Sequence, residues 1–122
     1  MIRGVVTDLR ATINLKLLLP KVPAIAIEFE IDTAFRGALA MPPDAVAVLG
    51  LPFVTKVRTL PASGIPFQAN VHHVTIAWGD QTLMVNVLAM GLRPLIGTAL
   101  LQHHDLHIEY IEGGEIRIEL RS

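Results

Sequence analysis

The chain has 122 residues, 52% of them hydrophobic, and its mean hydropathy is +0.51. The formal net charge is −1 without a basic run, which argues against nucleic acid as a partner, and the absence of cysteine excludes disulfide bonds and thiolate metal sites. We expect one domain spanning residues 1–122 and a reducing, cytoplasmic location, with a protein partner covering part of the apolar surface.

The amino-terminal segment does not resemble a targeting sequence. It reads MIRGVVTDLR and lacks the apolar core and small-residue cleavage site of a signal peptide. The most apolar run, LKLLLPKVPAIAI, is interrupted by Lys16, Pro20, Lys21 and Pro23, whereas a membrane-spanning helix needs about 20 predominantly apolar residues. We therefore expect no membrane as a partner.

Two segments in the first third of the chain alternate apolar and polar residues, which is the pattern of half-buried β-strands. They are TINLKLL and AIAIEFEID. The apolar positions are Ile13, Leu15 and Leu17 in the first segment and Ile25, Ile27, Phe29 and Ile31 in the second. The intervening PKVP cannot occupy a central strand and predicts a turn or loop.

The segment PPDAVAVLG predicts a short helix. Pro43 suits the first helical turn and Asp44 suits the positive end of the helix dipole. Gly50 suits the position just beyond the carboxyl end, where the backbone often turns left-handed.

The rest of the chain predicts further strands and turns. FVTKVRTL, FQANVHHVTIAW and TLMVNVLAM have strand character, PASGIP predicts a turn, and Gly79–Asp80 predicts a hairpin between the two long strands. RPLIGTALLQHH contains a short apolar helix, and LHIEYIEGGEIRIEL predicts a hairpin with a type I′ turn at Gly113–Gly114. The predicted fold class is all-β, mainly antiparallel, with one or two short helices.

The second alternating segment ends on a carboxylate, Asp32. It is either a turn or cap residue or half of a catalytic pair. Peptide hydrolysis without a metal needs one group that takes a proton from water and another that gives a proton to the substrate. Two carboxylates about 3 Å apart cannot both ionise, so one stays protonated and the pair fills both roles. A chain with one such aspartate would obtain the second from a symmetry-related copy.

The tripeptide Asp32-Thr33-Ala34 after an apolar strand resembles the Asp-Thr-Gly loop of retropepsin-like aspartic peptidases. The block Leu95-Ile96-Gly97 resembles the downstream element of that family, two apolar residues and a glycine opening a short helix. The likeness is closest to small bacterial single-domain members, whose pattern resembles DTAFRGALAMPPDAVAVLGLP and LIGTALL. It covers nearly the whole chain and implies a closed, β-barrel-type fold.

The resemblance also implies a function, an aspartic endopeptidase that acts as a homodimer on peptide or protein substrates without a cofactor or metal. It assigns catalysis to Asp32, and to the Thr33 hydroxyl a contact that joins the two active-site loops across the dimer. The loop continues through Ala34, Phe35 and Gly37. Such enzymes are the general example of two carboxylates that share one proton.

Two further groups of residues follow from the resemblance. A flap that closes over substrate is expected at Ala62, Ser63, Gly64 and Ile65. A supporting segment is expected at Leu95, Ile96 and Gly97, where the glycine lets the downstream helix pack against the active-site loop.

The sequence departs from the family pattern at Ala34, where the family usually has glycine. Alanine costs little if the local φ is negative and causes strain if φ is positive. The alternative hypothesis is therefore a β-rich dimerisation or peptide-binding module with the same fold and weak or absent catalysis.

Other candidate residues have simpler explanations. In HHDLH, His103 and His107 are four apart, a spacing that can bind a metal on a helix, but we expect a polar, solvated helix end without a metal. Ser63 has no histidine or aspartate at the spacing of a catalytic triad. We expect Trp78 and Met90 to lie in the core or in an interface.

Overall fold

A computed structural model describes residues 1–60 and 63–122, which form ten strands and two short helices. The strands are β1 (Ile2–Thr7), β2 (Arg10–Leu18), β3 (Ile25–Ile31), β4 (Leu39–Met41), β5 (Phe53–Thr59), β6 (Phe67–Trp78), β7 (Gln81–Ala89), β8 (Leu95–Ile96), β9 (His104–Ile108) and β10 (Glu115–Leu120). The helices are α1 (Pro43–Leu49) and α2 (Thr98–Leu101). Neither helix is long and apolar enough to cross a membrane, and the described residues contain no other helix.

The strands form one mixed sheet in the order β5-β6-β7-β4-β8-β3-β2-β1-β10-β9. Only the β3–β8 and β4–β7 pairs are parallel among the described residues. Strand β6 also pairs with β2, through Leu17 opposite Ile76 and Leu18 opposite Thr75. This extra pairing closes β2, β3, β8, β4, β7 and β6 into a ring. The prediction of a mainly antiparallel, closed β fold with short helices is therefore confirmed.

The period-two segments supply the core as predicted. Ile13, Leu17 and Phe29 are at most 2% exposed. At the outer end of β3 the pattern no longer corresponds to burial, because Ile25 is 40% exposed. Opposing strands fill the rest of the interior with Ile76, Val87, Ile96, Ile116 and Ile118. This continuous apolar packing fixes the end of β3 in place, which matters for the residue that follows it.

Helix α1 confirms the prediction for PPDAVAVLG. Pro43 occupies its first turn, and Gly50 has a left-handed φ of 63°. The Gly50 N–H donates to the carbonyl oxygen of Ala47 at 3.1 Å. Glycine takes this conformation without the steric cost that other residues meet.

The carboxyl-terminal hairpin is present, but the predicted type I′ turn at its tip is wrong. Six residues separate β9 from β10, and only Gly113 has a positive φ (78°). The Gly113 N–H donates to the Val6 carbonyl at 2.8 Å, and the Val6 N–H donates to the Gly114 carbonyl at 2.9 Å. A Cβ at Gly114 would overlap the Glu109 carbonyl. Pairing with β1 therefore determines the shape of the loop.

The helix end expected at HHDLH lies just before it, and only His103, which is exposed, remains next to the helix end. Helix α2 ends at Leu101, and His104 already begins β9. His103 lies in the connecting turn with a φ of 67°. The helical spacing that would bring His103 and His107 together does not occur, and residues 1–60 and 63–122 contain no cluster of three metal-ligating side chains.

Candidate active site

Asp32 lies at the point where β3 meets β8. Its N–H donates to the carbonyl oxygen of Ile96 at 2.9 Å, directly after the parallel pair formed by Ile31 and Ile96. The buried side chains of Phe29 and Ile96 hold the two strands against the core. Two blocks that are distant in the sequence are thereby brought next to each other, and Asp32 is presented at a fixed strand end.

The Asp32 side chain is half-buried and bonded to its own loop. Its Oδ1 accepts the N–H of Ala34 at 3.0 Å, while the Phe35 N–H donates to the Asp32 carbonyl at 3.1 Å. No other hydrogen bond to this carboxylate exists within the described part of the chain. One carboxylate oxygen is therefore oriented by the backbone, and the other is available to a ligand.

Alanine fits the loop at the position where the family pattern has glycine. Ala34 is exposed, and its φ lies outside the left-handed region. The methyl group therefore causes no backbone strain, and the N–H that orients Asp32 is retained. The sequence left open whether alanine at position 34 is strained, and the backbone conformation shows that its conformational cost is small.

Gly97 lies against the Asp32 loop. A Cβ at this position would overlap the Gly37 carbonyl and lie 2.5 Å from the carbonyl oxygen of Phe35. The close approach allows three backbone hydrogen bonds, Gly97 N–H to Ala38, Thr98 N–H to Phe35 and Ala99 N–H to Gly37, at 2.9, 2.8 and 3.2 Å. The start of α2 therefore packs against the Asp32 loop and holds it in position.

Thr33 is exposed and is not among the residues that line the cleft. Its contact with a second copy of the chain stays a prediction. Phe35 is half-buried, and its ring packs over Gly37, where a Cβ would lie 2.9 Å from the ring carbon Cε1.

Asp32 opens into a cleft of about 970 Å³. The lining residues are Asp32, Ala34, Phe35, Arg36 and Gly37 from the loop, Val57, Arg58, Thr59, Leu60 and Gly64 from the β5–β6 hairpin, and Leu88, Met90 and Leu95 from the neighbouring strand ends. The cleft is thus bounded by the Asp32 loop and by a hairpin, and most of its lining is apolar.

The predicted flap residues lie at the tip of the β5–β6 hairpin, apart from Ala62, which is outside the described residues. Gly64 lines the cleft, whereas Ser63 and Ile65 do not. The Ile65 N–H donates to the Ser63 hydroxyl oxygen at 3.4 Å, and Ile65 is 71% exposed. No described histidine or aspartate bonds to Ser63.

Several lining residues were not found by sequence reasoning, namely Arg36, Val57, Arg58, Thr59, Leu60, Leu88 and Met90. Arg36 was within reach of prediction, because it follows Asp32 by four positions in the same loop. The others enter the cleft through strand pairing. Trp78 is in the core, at 4% exposure, as expected, but Met90 is a half-buried residue of the cleft.

The structure is similar to the crystal structure of a retropepsin-like aspartic protease from Rickettsia conorii, with a TM-score of 0.55 over 98% of this chain and 90% of that chain. The chain has a retropepsin-like fold. The two sequences are 17% identical, so the likeness concerns the fold alone. No protein-family model matches the sequence, and no curated protein matches it significantly.

Within the retropepsin-like fold, eight of the predicted site residues fall into two groups, whereas Thr33, Ser63 and Ile65 do not line the cleft. Asp32, Ala34, Phe35, Gly37, Gly64 and Leu95 line the cleft. Ile96 and Gly97 stand behind the Asp32 loop and hold it through backbone contacts. The arrangement presents one backbone-oriented carboxylate in a mainly apolar cleft.

Proposed function

We propose that the chain is an aspartic endopeptidase that acts as a homodimer. The observation that carries the proposal is the placement of Asp32, a half-buried carboxylate at a fixed strand end that faces a large cleft. The retropepsin-like fold supports it, because the two blocks that suggested the family from sequence adjoin at this residue.

A second copy of the chain is needed for the chemistry. Asp32 is the only acidic residue among the described residues that line the cleft, whereas hydrolysis by carboxylates alone needs a base and an acid. A two-fold axis beside Asp32 would supply the second carboxylate, because an isologous interface brings a residue close to its own copy. The exposure of Thr33 and Ala34 leaves this face of the loop available for such contact.

In the proposed reaction, the ionised Asp32 takes a proton from water as the water oxygen attacks the peptide carbonyl carbon. The protonated Asp32 of the partner subunit donates its proton to the carbonyl oxygen. The tetrahedral intermediate then collapses with cleavage of the C–N bond, and the leaving nitrogen receives a proton from the pair. The Ala34 N–H keeps one carboxylate oxygen in position throughout this sequence.

The substrate would be an extended peptide. The β5–β6 hairpin offers backbone groups for strand-like pairing with such a peptide. The side chains of Val57, Leu60, Leu88, Met90 and Leu95 make most of the lining apolar. Hydrophobic residues are therefore expected beside the scissile bond.

The deciding experiment is cleavage of a peptide library at several pH values by the wild type and by Asp32→Asn. We expect cleavage by the wild type and none by the variant. Asp8→Asn is a matched control, because Asp8 lies outside the cleft in a left-handed turn (φ 53°) that asparagine also tolerates. Cleavage that persists in Asp32→Asn would disprove the proposal.

The same experiment tests the alternative of a peptide-binding module. Such a module would capture library peptides at any pH without turnover, and Asp32→Asn would bind them as the wild type does. The unstrained conformation of Ala34 removes the reason that the departure from glycine gave for that alternative.

A further inference from the structure

The arginines of the chain divide into two sets. The sequence has seven, and five have a carboxylate within 4.0 Å, namely Arg3, Arg10, Arg93, Arg117 and Arg121. Arg36 and Arg58 have none among the described residues, and both line the cleft that contains Asp32. Within residues 1–60 and 63–122, the two guanidinium groups without a carboxylate partner therefore both line the candidate active site.

The two arginines come from different parts of the cleft. Arg36 belongs to the loop after β3, and Arg58 belongs to β5, in the hairpin that bounds the cleft. Both are exposed, so they are reachable by a ligand. Asp32 is the only other charged residue of the described lining. The cleft is thus locally cationic in a chain whose formal net charge is −1.

We propose that Arg36 and Arg58 select substrates with an acidic side chain close to the scissile bond. This inference rests on the proposed peptidase function and adds the substrate class to it. The guanidinium group is a planar fork of N–H donors that binds a carboxylate through two parallel hydrogen bonds. A carboxylate side chain of a bound peptide would supply the partner that Arg36 and Arg58 lack among the described residues.

Dimerisation would double the number of arginines at the site. In a site shared by two copies, each copy contributes both arginines, whereas the two aspartates share a proton and carry less than their full negative charge. The positive potential of the cleft therefore exceeds that of either chain alone. A cationic cleft with low-dielectric walls also raises the local concentration of acidic ligands.

The test uses pairs of peptides that differ only by Glu or Gln at one position on either side of the cleaved bond. For at least one of the two positions, we expect kcat/KM of the wild type to be roughly 5- to 50-fold higher for the Glu peptide than for its Gln partner. The difference would come from charge-assisted hydrogen bonds between the Glu carboxylate and the arginines. The ratio should fall as salt is added, because the arginines are exposed.

Charge reversal identifies the responsible residues. Arg36→Glu and Arg58→Glu should each lower the Glu-to-Gln ratio, and the double variant should invert it. Lys56→Glu is the matched control, because Lys56 lies on β5 two positions from Arg58 but does not line the cleft. The substitution changes the net charge by the same amount as each arginine variant. Its ratio should remain that of the wild type.

Binding measurements with Asp32→Asn separate this inference from the peptidase function. Tighter binding of Glu peptides to Asp32→Asn, lost on adding Arg58→Glu, supports the selection even if the wild type cleaves nothing. Cleavage by the wild type with equal ratios for Glu and Gln overturns the inference and leaves the peptidase intact. Dissociation of the dimer by Arg36→Glu or Arg58→Glu in sedimentation also overturns it, because the arginines would then pair with the partner subunit and not with substrate.

Discussion

Gly97 lies so close to Phe35 that no side chain fits between them. The carbonyl oxygen of Phe35 is 2.5 Å from the position of a Cβ at Gly97, and the same oxygen accepts the N–H of Thr98 at 2.8 Å. The obstacle is backbone, which cannot rotate out of the way as a flexible side chain would. The position of the Asp32 loop thus depends on the absence of one methyl group.

We predict that Gly97→Ala displaces this loop. Overpacking of this kind costs about 1–3 kcal/mol of unfolding free energy, and the shift should lower peptide cleavage more than tenfold, since misplacement of a catalytic group is severely penalised. Urea unfolding and kcat/KM measure the two effects.

Gly113→Ala is the control for Gly97→Ala. A Cβ at Gly113 meets nothing within 4 Å, but the φ of 78° disfavours alanine, at a cost of about 1–2 kcal/mol. This variant should lose stability and keep its cleavage activity. If Gly97→Ala cleaves peptides as well as Gly113→Ala does, the close contact between Gly97 and the Asp32 loop does not position Asp32.

A second prediction concerns Ala34→Gly. Because the φ of Ala34 is outside the left-handed region, glycine relieves no strain and only increases the freedom of the unfolded chain. The free energy of unfolding should fall by about 0.4–1 kcal/mol. Ala24→Gly, at another exposed loop alanine, should cost a similar amount. A gain in stability from Ala34→Gly alone would show that the alanine is strained after all.

The sequence predicted the parts of the fold that local pattern determines. The alternation in β2 and β3 was sufficient because each of these strands buries one face. Strands β4 and β8 were missed because they are three and two residues long and exist only through distant partners, such as Leu39 with Val87. The type I′ turn predicted at Gly113–Gly114 does not form, because both glycines form backbone hydrogen bonds with Val6 of β1.

The candidate site was predictable to a similar extent. The Asp32 and Gly97 blocks could be found because each has a recognisable order of residue types. Arg58 could not, because its entry into the cleft depends on the long β5–β6 pairing, in which Arg58 lies opposite Gln68. Nothing in the sequence around Arg58 distinguishes it from a solvated strand residue.

A third prediction concerns the core contact between Trp78 and His104. The Trp78 Nε1–H donates to His104 Nε2 at 3.1 Å, and His104 Nδ1 donates to the Gln102 carbonyl at 2.8 Å. His104→Leu removes the acceptor from a tryptophan that is 4% exposed. We expect a loss of about 1–3 kcal/mol, the cost of an unsatisfied buried donor.

The control for His104→Leu is His104→Gln, which offers a side-chain carbonyl to Trp78 and should lose less stability. Trp78 is the only tryptophan, so its fluorescence during urea unfolding reports the transition directly. Equal losses in both variants would mean that the edge-to-face packing of the two rings, with centroids 5.6 Å apart, matters and the hydrogen bond does not.

The last prediction tests whether two copies of Asp32 form one site. Wild type and Asp32→Asn are refolded together in equal amounts so that the chains pair at random. If each site needs two intact carboxylates, about a quarter of the dimers are active, whereas independent chains would retain about half of the activity. Refolding with Asp8→Asn in place of Asp32→Asn should leave activity undiminished. A linear dependence on the wild-type fraction would mean that one Asp32 is sufficient, and the acid would then have to come from a group outside the described cleft.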